Sequence, residues 1–337
     1  MAELGPELTR ADVKPVALDW DVITSIMDYV EKKRDVLAFM HTCHNQNEDS
    51  SDAVDLLSRL QSPLSQLKVN FWADYEAPVS LLLTTFSQTL ESLTLECQTF
   101  VSSDVCFPRL TMLKVQMATL PQLPSLMAAC PNLQELDIMI KGSYPEHVGP
   151  LRSQNIAFQV ANAANLWTSL RRVTAQSLFL YTMGLRQEIE TLTIADRLYT
   201  SIGCRGPDET RALYRLQWVL LDARPRALTL RHTFADLNDF RRIWRAVSGI
   251  FSTENLTLEF HPLTPDPHRT LITISKALQI GDNSSVQKLT LRFYMDREHE
   301  THNSRKPDME FYERWVKKKL SRPCDVHAEI RDDMVVF

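Results

Sequence analysis

Two short histidine-containing stretches carry the side chains best suited to metal chemistry. Residues 41–44 read HTCH, and residues 298–302 read EHETH. In the zinc protease motif H-E-x-x-H the histidines are four residues apart, whereas those of EHETH are three apart in a charged stretch. No further ligands stand near HTCH, and its cysteine, Cys43, belongs to an apolar helical stripe. We therefore interpret both stretches as ordinary side chains rather than as metal ligands.

Other catalytic motifs lack their characteristic residues. The eight glycines form neither G-x-G-x-x-G nor a phosphate-binding loop, so nucleotide binding lacks its backbone cradle. No G-x-S-x-G turn presents a nucleophile. The six cysteines are scattered without a C-x-x-C pair, which fits reduced and packed thiols in an intracellular protein. The sequence therefore predicts a protein that is not an enzyme and needs no cofactor.

The overall composition restricts the classes of partner. The 337 residues are 44% hydrophobic and 23% charged, which is typical of a soluble globular protein. A net charge of −5 provides no dominant basic field for nucleic acid, and no apolar run reaches the length of a membrane span. The first residues lack the basic region and apolar stretch of a signal peptide. We expect a cytoplasmic or nuclear protein that binds neither nucleic acid nor membranes.

An internal repeat supplies the elements that would position any binding residue. The frame L-x-x-L-x-L, or its core L-T-L, recurs at steps of 19 to 37 residues. Its central apolar residues are Leu67, Leu93, Leu113, Leu136, Val173, Leu192, Leu228, Leu256 and Leu289. Alternating apolar and polar residues predict a strand with one buried face. We predict in particular that Leu136 and Leu258 are buried, and that the threonine of L-T-L points away from the core.

Helical spacing of apolar residues separates several of these strands. It occurs at Leu123, Leu126, Met127 and Cys130, at Leu213, Leu216 and Leu220, at Leu237, Phe240, Trp244, Val247 and Phe251, and at Met309, Tyr312, Val316 and Leu320. A last strand is expected around Val326, Ala328 and Ile330. Strands that alternate with helices imply a parallel sheet. Nine repeats of so short a unit favour a curved solenoid.

The repeat, together with CPNLQELDI at residues 130–138, resembles the leucine-rich repeat, particularly its irregular form. The resemblance covers about residues 60–331. It implies an α/β solenoid, in which a curved parallel sheet carries helices on its outer side and binds proteins on its concave face. The chain departs from the family pattern in one respect. The Asn or Cys that usually follows the strand is missing, except for Cys97.

Residues 18–43 carry two apolar helical stripes separated by KKR at residues 32–34. This segment resembles an F-box at Leu18, Asp21, Val22, Ile23, Ile26, Asp35, Leu37, Thr42 and Cys43. It departs from that pattern at Asp19, where the family has proline, and in the polar run at residues 44–52, where a third helix usually begins. The alternative interpretation is a helical cap that shields the first repeat, as solenoids generally need.

The two resemblances together imply an organisation and a function. We expect a flexible N-terminus at residues 1–17, F-box-like helices at 18–60 and a leucine-rich-repeat solenoid at 61–337. The combination resembles fungal-type F-box repeat proteins, which implies the substrate-recognition subunit of a Skp/cullin/F-box ubiquitin ligase. The resemblance implies that a Skp-type adaptor of the cullin complex contacts Leu18, Val22, Ile23, Ile26, Val30 and Leu37. The alternative is a leucine-rich-repeat scaffold without ligase association.

Charged side chains beside the buried leucines are candidates for binding a protein substrate. They are acidic near the strand of Leu136 and basic around the strands of Leu228 and Leu289. Guanidinium groups pair well with carboxylates, so an acidic segment of the substrate is the expected ligand. The candidate residues are Arg231, Arg292, Lys288 and Glu259, of which the glutamate partly cancels the arginines. The alternative is an ordinary mixed and solvated sheet face.

Overall fold

A computed structural model describes ten stretches of the chain. They are residues 63–70, 79–100, 104–141, 148–163, 166–195, 207–232, 253–260, 286–294, 309–319 and 324–331. The chain divides into two compact units, Met1–Ala38 and Phe39–Phe337, and every described residue lies in the second. Several predicted features lie outside the described residues. They are the F-box-like helices, the expected boundary between residues 60 and 61, and the HTCH and EHETH stretches.

The described strands form one parallel sheet of ten strands in the order of the sequence. They are β1 (Gln66–Asn70), β2 (Ser92–Cys97), β3 (Met112–Met117), β4 (Glu135–Ile140), β5 (Arg172–Ala175), β6 (Thr191–Ile194), β7 (Ala227–His232), β8 (Asn255–Phe260), β9 (Lys288–Tyr294) and β10 (Asp325–Arg331). The α/β class is confirmed, and the strand order is compatible with a solenoid-like arrangement.

The register of the sheet places the central apolar residues of the repeat side by side. Leu67 of β1 lies opposite Leu93 of β2, and the alignment continues strand by strand to Leu289 opposite Val326 of β10. Buried and half-buried residues alternate along the strands because successive side chains point to opposite faces. The predicted burial of Leu136 and Leu258 is confirmed, at 2% and 1% exposure.

Helices cover the face of the sheet that carries the leucines. They are α1 (Val79–Leu82), α2 (Leu123–Ala129), α3 (Val148–Ala161), α4 (Ser177–Met183), α5 (Pro207–Ala223) and α6 (Met309–Lys319). Buried residues of α2, α4, α5 and α6 join the strand leucines in one apolar core. The apolar spacing correctly predicted α2, α5 and α6, whereas the helix predicted at 237–251 lies outside the described residues. No helix in the described part of the chain has the length and apolar character needed to cross a membrane.

Most of the side chains that helix α3 buries are polar. Three of them donate hydrogen bonds of 2.6–3.0 Å to the carbonyls that end α4: Arg152 to Tyr181, Asn155 to Thr182, and Gln159 to Met183 and Gly184. The last carbonyls of a helix have no partner within the helix. The polar side of α3 therefore completes the hydrogen bonding of α4.

A buried ion pair connects α3 to α5. The guanidinium of Arg152 lies 2.5 Å from the carboxylate of Asp222, and both side chains are about nine-tenths buried. The same guanidinium lies 4.6 Å from the ring centre of Tyr181 and 5.5 Å from that of Trp218. Gly184 ends α4 in the left-handed conformation, with φ 56°, and a Cβ there would lie 2.9 Å from Ile156 of α3. Glycine thus permits this close approach of α3 to α4.

Candidate functional site

The face of the sheet that the helices leave uncovered, here called the open face, carries two rows of side chains. The threonine row occupies the position between the two buried residues of each strand: Lys68, Thr94, Lys114, Asp137, Thr174, Thr193, Thr229, Thr257, Thr290 and His327. The predicted outward direction of the threonines is confirmed, since each of them is half-buried between buried neighbours. The outer row lies two residues further along the strands.

The outer row ends in an alternating ladder of charges, here called the C-terminal ladder. It consists of Arg231, Glu259, Arg292 and Glu329, one from each of β7, β8, β9 and β10. The carboxylate of Glu259 lies 3.0 Å from Nε of Arg231 and 3.1 Å from Nη1 of Arg292. Arg292 also donates to Glu329. Each charge in the ladder therefore lies beside one of opposite sign.

The ladder buries its central carboxylate. Only 3% of the side chain of Glu259 is exposed, against 31% for Arg231 and 26% for Arg292. Partial burial lowers the pKa of Arg292, but its contacts with Glu329 and Glu259 raise that pKa by more, so it lies above its ordinary value. A carboxylate as buried as Glu259 needs both neighbouring guanidiniums to compensate its lost hydration.

The structure brings three of the predicted substrate-binding residues together. Arg231, Glu259 and Arg292 share the ladder, whereas Lys288 lies outside it, at the start of β9 and opposite Asn255 and Asp325. Both arginines already contact carboxylates of their own chain. Capture of an acidic segment there stays a prediction, and the geometry gives the ladder a role in holding four strands together.

A groove lined by residues of β2 to β7 lies on the open face. Five residues of the outer row form one side of it: Glu96, Gln116, Met139, Ala195 and Arg231. Four residues of the threonine row form the other side: Thr94, Lys114, Asp137 and Thr174. Leu95 and Val115 line it between the two rows. This groove is the candidate site because, among the described residues, it encloses space on the open face.

The two strands at the centre of the groove are short. β5 and β6 have four residues each and end before the outer row, whereas β4 and β7 continue into it. After β5 the amide of Gln176 accepts from the backbone N–H of Ile140 at 3.0 Å and donates to its carbonyl at 3.1 Å, which extends the pairing with β4. After β6 the small side chain of Ala195 lines the groove.

The charges that line the groove have both signs. Lys114 and Asp137 form an ion pair of 3.4 Å across β3 and β4. Glu96 stands at the β2 end and Arg231 at the β7 end. Mixed charges beside an apolar floor suit a ligand that itself carries both charges and an apolar group, as a polypeptide does.

No described cysteine lines the groove. Burial raises the pKa of the Cys97 thiol to about 12 and also raises that of Cys130, so both stay protonated near neutral pH. Cys106 is exposed but does not line the groove. Within the described ranges, no group of three or more His, Cys, Asp or Glu side chains is placed to hold a metal ion. The absence of enzymatic activity stays a prediction.

Comparisons with known proteins identify no relative: no family model, no curated protein and no solved structure matches this chain. The resemblance to leucine-rich repeats and to the F-box therefore depends on the residues of the sequence. The candidate site depends on the geometry of the open face.

Proposed function

We propose that this chain is a leucine-rich-repeat protein that binds a partner protein on the open face of its sheet. The groove between β2 and β7 is the observation that supports this function best. It lies on the face opposite the helices, it is lined by charges of both signs, and its floor carries apolar groups. A site of this kind recognises side chains and backbone of another polypeptide without chemical change.

The proposed role of that binding is substrate recognition within a Skp/cullin/F-box ubiquitin ligase. The F-box resemblance of residues 18–43 supports the ligase part, and the groove supports the recognition part. The chain would connect a substrate on the open face to an adaptor on the N-terminal helices. Ubiquitin transfer would take place elsewhere in the complex, so the chain itself needs no cofactor. Activity in the cytoplasm or nucleus, where such ligases act, is part of the proposal.

Co-purification tests the ligase part. We expect the tagged chain to retain a Skp-type adaptor and a cullin, and Ile23→Asp to abolish this because an unpaired charge would enter an apolar interface. The matched control is Lys33→Asp in the KKR run, which changes charge outside the apolar stripes and should keep the adaptor bound. Retention of the adaptor by Ile23→Asp would exclude the predicted contact residues.

The second candidate function is a repeat scaffold that binds partners without a ligase. The departures of the F-box-like segment at Asp19 and in the polar run of residues 44–52 favour it. In that case residues 18–43 act as a cap for the first repeat. A wild-type chain that captures protein partners but neither adaptor nor cullin would select the scaffold.

A further inference from the structure

The width of the groove restricts the conformation of its ligand. Along one strand, the threonine row and the outer row are two residues apart, which corresponds to about 6.7 Å. An α-helix with its side chains is about 10–12 Å across. Both a helix and an extended chain would therefore lie on top of the two rows, but an extended chain across the strands directs alternate side chains toward the threonine row and toward the outer row.

The length of the groove restricts the number of ligand residues. Its lining extends from Glu96 of β2 to Arg231 of β7, which are five strands apart in the sheet order. At a spacing of about 4.8 Å between strands, this corresponds to about 24 Å. An extended chain advances about 3.3–3.6 Å per residue, so about seven residues span the groove.

The centre of the groove favours an apolar side chain. Just past the end of β6 the groove is lined by the methyl group of Ala195, with Thr174 of β5 and the half-buried Met139 of β4 beside it. These methyl and thioether groups offer an apolar ligand side chain a surface on which it can leave water. None of the residues that line the groove is aromatic, so the groove offers no stacking platform for nucleobases.

The two ends of the groove differ in charge. Glu96 lines the β2 end, where a basic ligand residue is favoured. At the β7 end Arg231 keeps its ion pair with Glu259, and 31% of the arginine side chain is exposed against 3% of the glutamate side chain, although Nε of Arg231 is itself buried. An approaching acidic residue therefore meets the arginine before the glutamate.

We propose that the groove binds an extended segment of a partner protein, about seven residues long. The segment carries a basic residue toward Glu96, an apolar residue over Ala195 and an acidic residue toward Arg231. This inference rests on the proposed protein-binding function and specifies its ligand class.

Selection from a displayed library of random linear peptides tests the inference, with the purified full-length chain as bait. We expect the enriched peptides to share one order of residues: basic, apolar, acidic, or its reverse if the segment lies in the opposite direction. Enrichment of amphipathic helical sequences, of purely basic or purely acidic sequences, or of no sequence would overturn the inference.

Two variants test where the segment binds and which of its ends lies at Glu96. Ala195→Trp fills the groove and should weaken binding of the enriched peptide by at least about tenfold. The matched control is Ala227→Trp, which places the same side chain on the open face of β7 outside the groove and should leave binding within about twofold. Glu96→Lys should change the selected basic residue to an acidic one, because like charges repel across an interface.

Thermal unfolding of each variant shows whether it is folded before its binding is measured. If Ala195→Trp fails to fold, the surface variant Glu96→Lys still decides the question: unchanged peptide preferences in a folded Glu96→Lys protein would overturn the inference. Peptide selection tests the inference and adaptor co-purification tests the ligase proposal, so a negative result in one does not decide the other. A chain that selects the peptides but retains no adaptor supports the inference and excludes the ligase, and a chain with the opposite result keeps the ligase and excludes the peptide.

Discussion

The outer row of the open face is used differently in its two halves. In β7–β10 it consists of charges that alternate in sign, and a carboxylate is buried between two guanidiniums. In β2–β4 the same positions hold Glu96, Gln116 and Met139, which line a groove. The backbone lattice is the same, since every strand pairs in parallel with the next. The outer-row side chains of β7–β10 thus pair with one another, whereas those of β2–β4 line the groove.

The two halves also differ in how deeply their charged side chains are buried, and burial determines how much a mutation changes the free energy of unfolding. A buried carboxylate that loses its partners is strongly destabilising, because its lost hydration is no longer compensated. A half-exposed side chain such as Glu96 keeps water as an alternative partner, so changing it has little effect on folding. Mutations in the two halves should therefore separate stability from binding.

The largest expected effect is a loss of stability that should be the same in both halves. Leu136→Ala in β4 and Leu258→Ala in β8 each open a cavity in the core and should lower the free energy of unfolding by about 2–5 kcal/mol. Urea unfolding followed by circular dichroism measures this loss. A loss well below this range in only one half would mean that the two halves differ in their core as well as on the open face.

The next effect should distinguish the halves. Glu259→Gln removes the charge between two arginines and should cost about 2–3 kcal/mol, below the roughly 3–5 kcal/mol of a fully buried pair because both arginines are partly exposed. The control Glu96→Gln occupies the same row on β2 and should change the free energy of unfolding by less than about 0.5 kcal/mol. Equal losses for the two variants would remove the distinction between ladder and groove.

The smallest effect tests whether distance or burial decides the strength of an ion pair. Arg109 and Glu91 approach to 2.5 Å, closer than Arg231 and Glu259 at 3.0 Å, but their side chains are 60% and 49% exposed. Arg109→Ala should therefore change the unfolding free energy by less than about 0.5 kcal/mol, measured in the same urea experiment. A loss as large as that of Glu259→Gln would show that burial is the wrong criterion.

The strand positions were predictable because they depend on a local pattern. The alternation around Leu67, Leu93 and each later centre needs only five or six neighbouring residues, and the structure places these centres in register. The threonine row follows from the same alternation. Most positions of the open face are therefore encoded by short stretches of sequence, each independent of the others.

Helix α3 was not predicted from the sequence because its buried side includes Arg152, Asn155 and Gln159. Their partners are carbonyls of α4, which a search for apolar spacing does not detect. Helix α4 was not predicted either, although it buries the apolar Phe179, Leu180 and Met183. The search for apolar spacing therefore missed a short helix as well as a helix whose burial depends on hydrogen bonds to a neighbouring element.

The contrast between Glu96 and Glu259 also required the structure. Both are glutamates in the outer row, and their local sequences, LTLEC and NLTLEF, are nearly the same. Burial of Glu259 depends on Arg231 and Arg292, which lie on other strands and meet it only through the register. The place of Ala195 in the groove depends in turn on where β6 ends, and strand ends are poorly encoded by alternation.

The buried pair of Arg152 and Asp222 has a consequence for how the molecule opens. In a linear array of repeats each unit interacts with its immediate neighbours, and unfolding is described by a chain of nearest-neighbour couplings. Here α3 precedes β5 and α5 precedes β7, so these two helices belong to units that are next-nearest neighbours. The ion pair of Arg152 and Asp222 therefore couples units that are not adjacent, in addition to the contacts that α3 and α5 each make with α4. In native-state hydrogen exchange, the amides from β4 to β7 should share one opening free energy, and partial unfolding should begin outside this block.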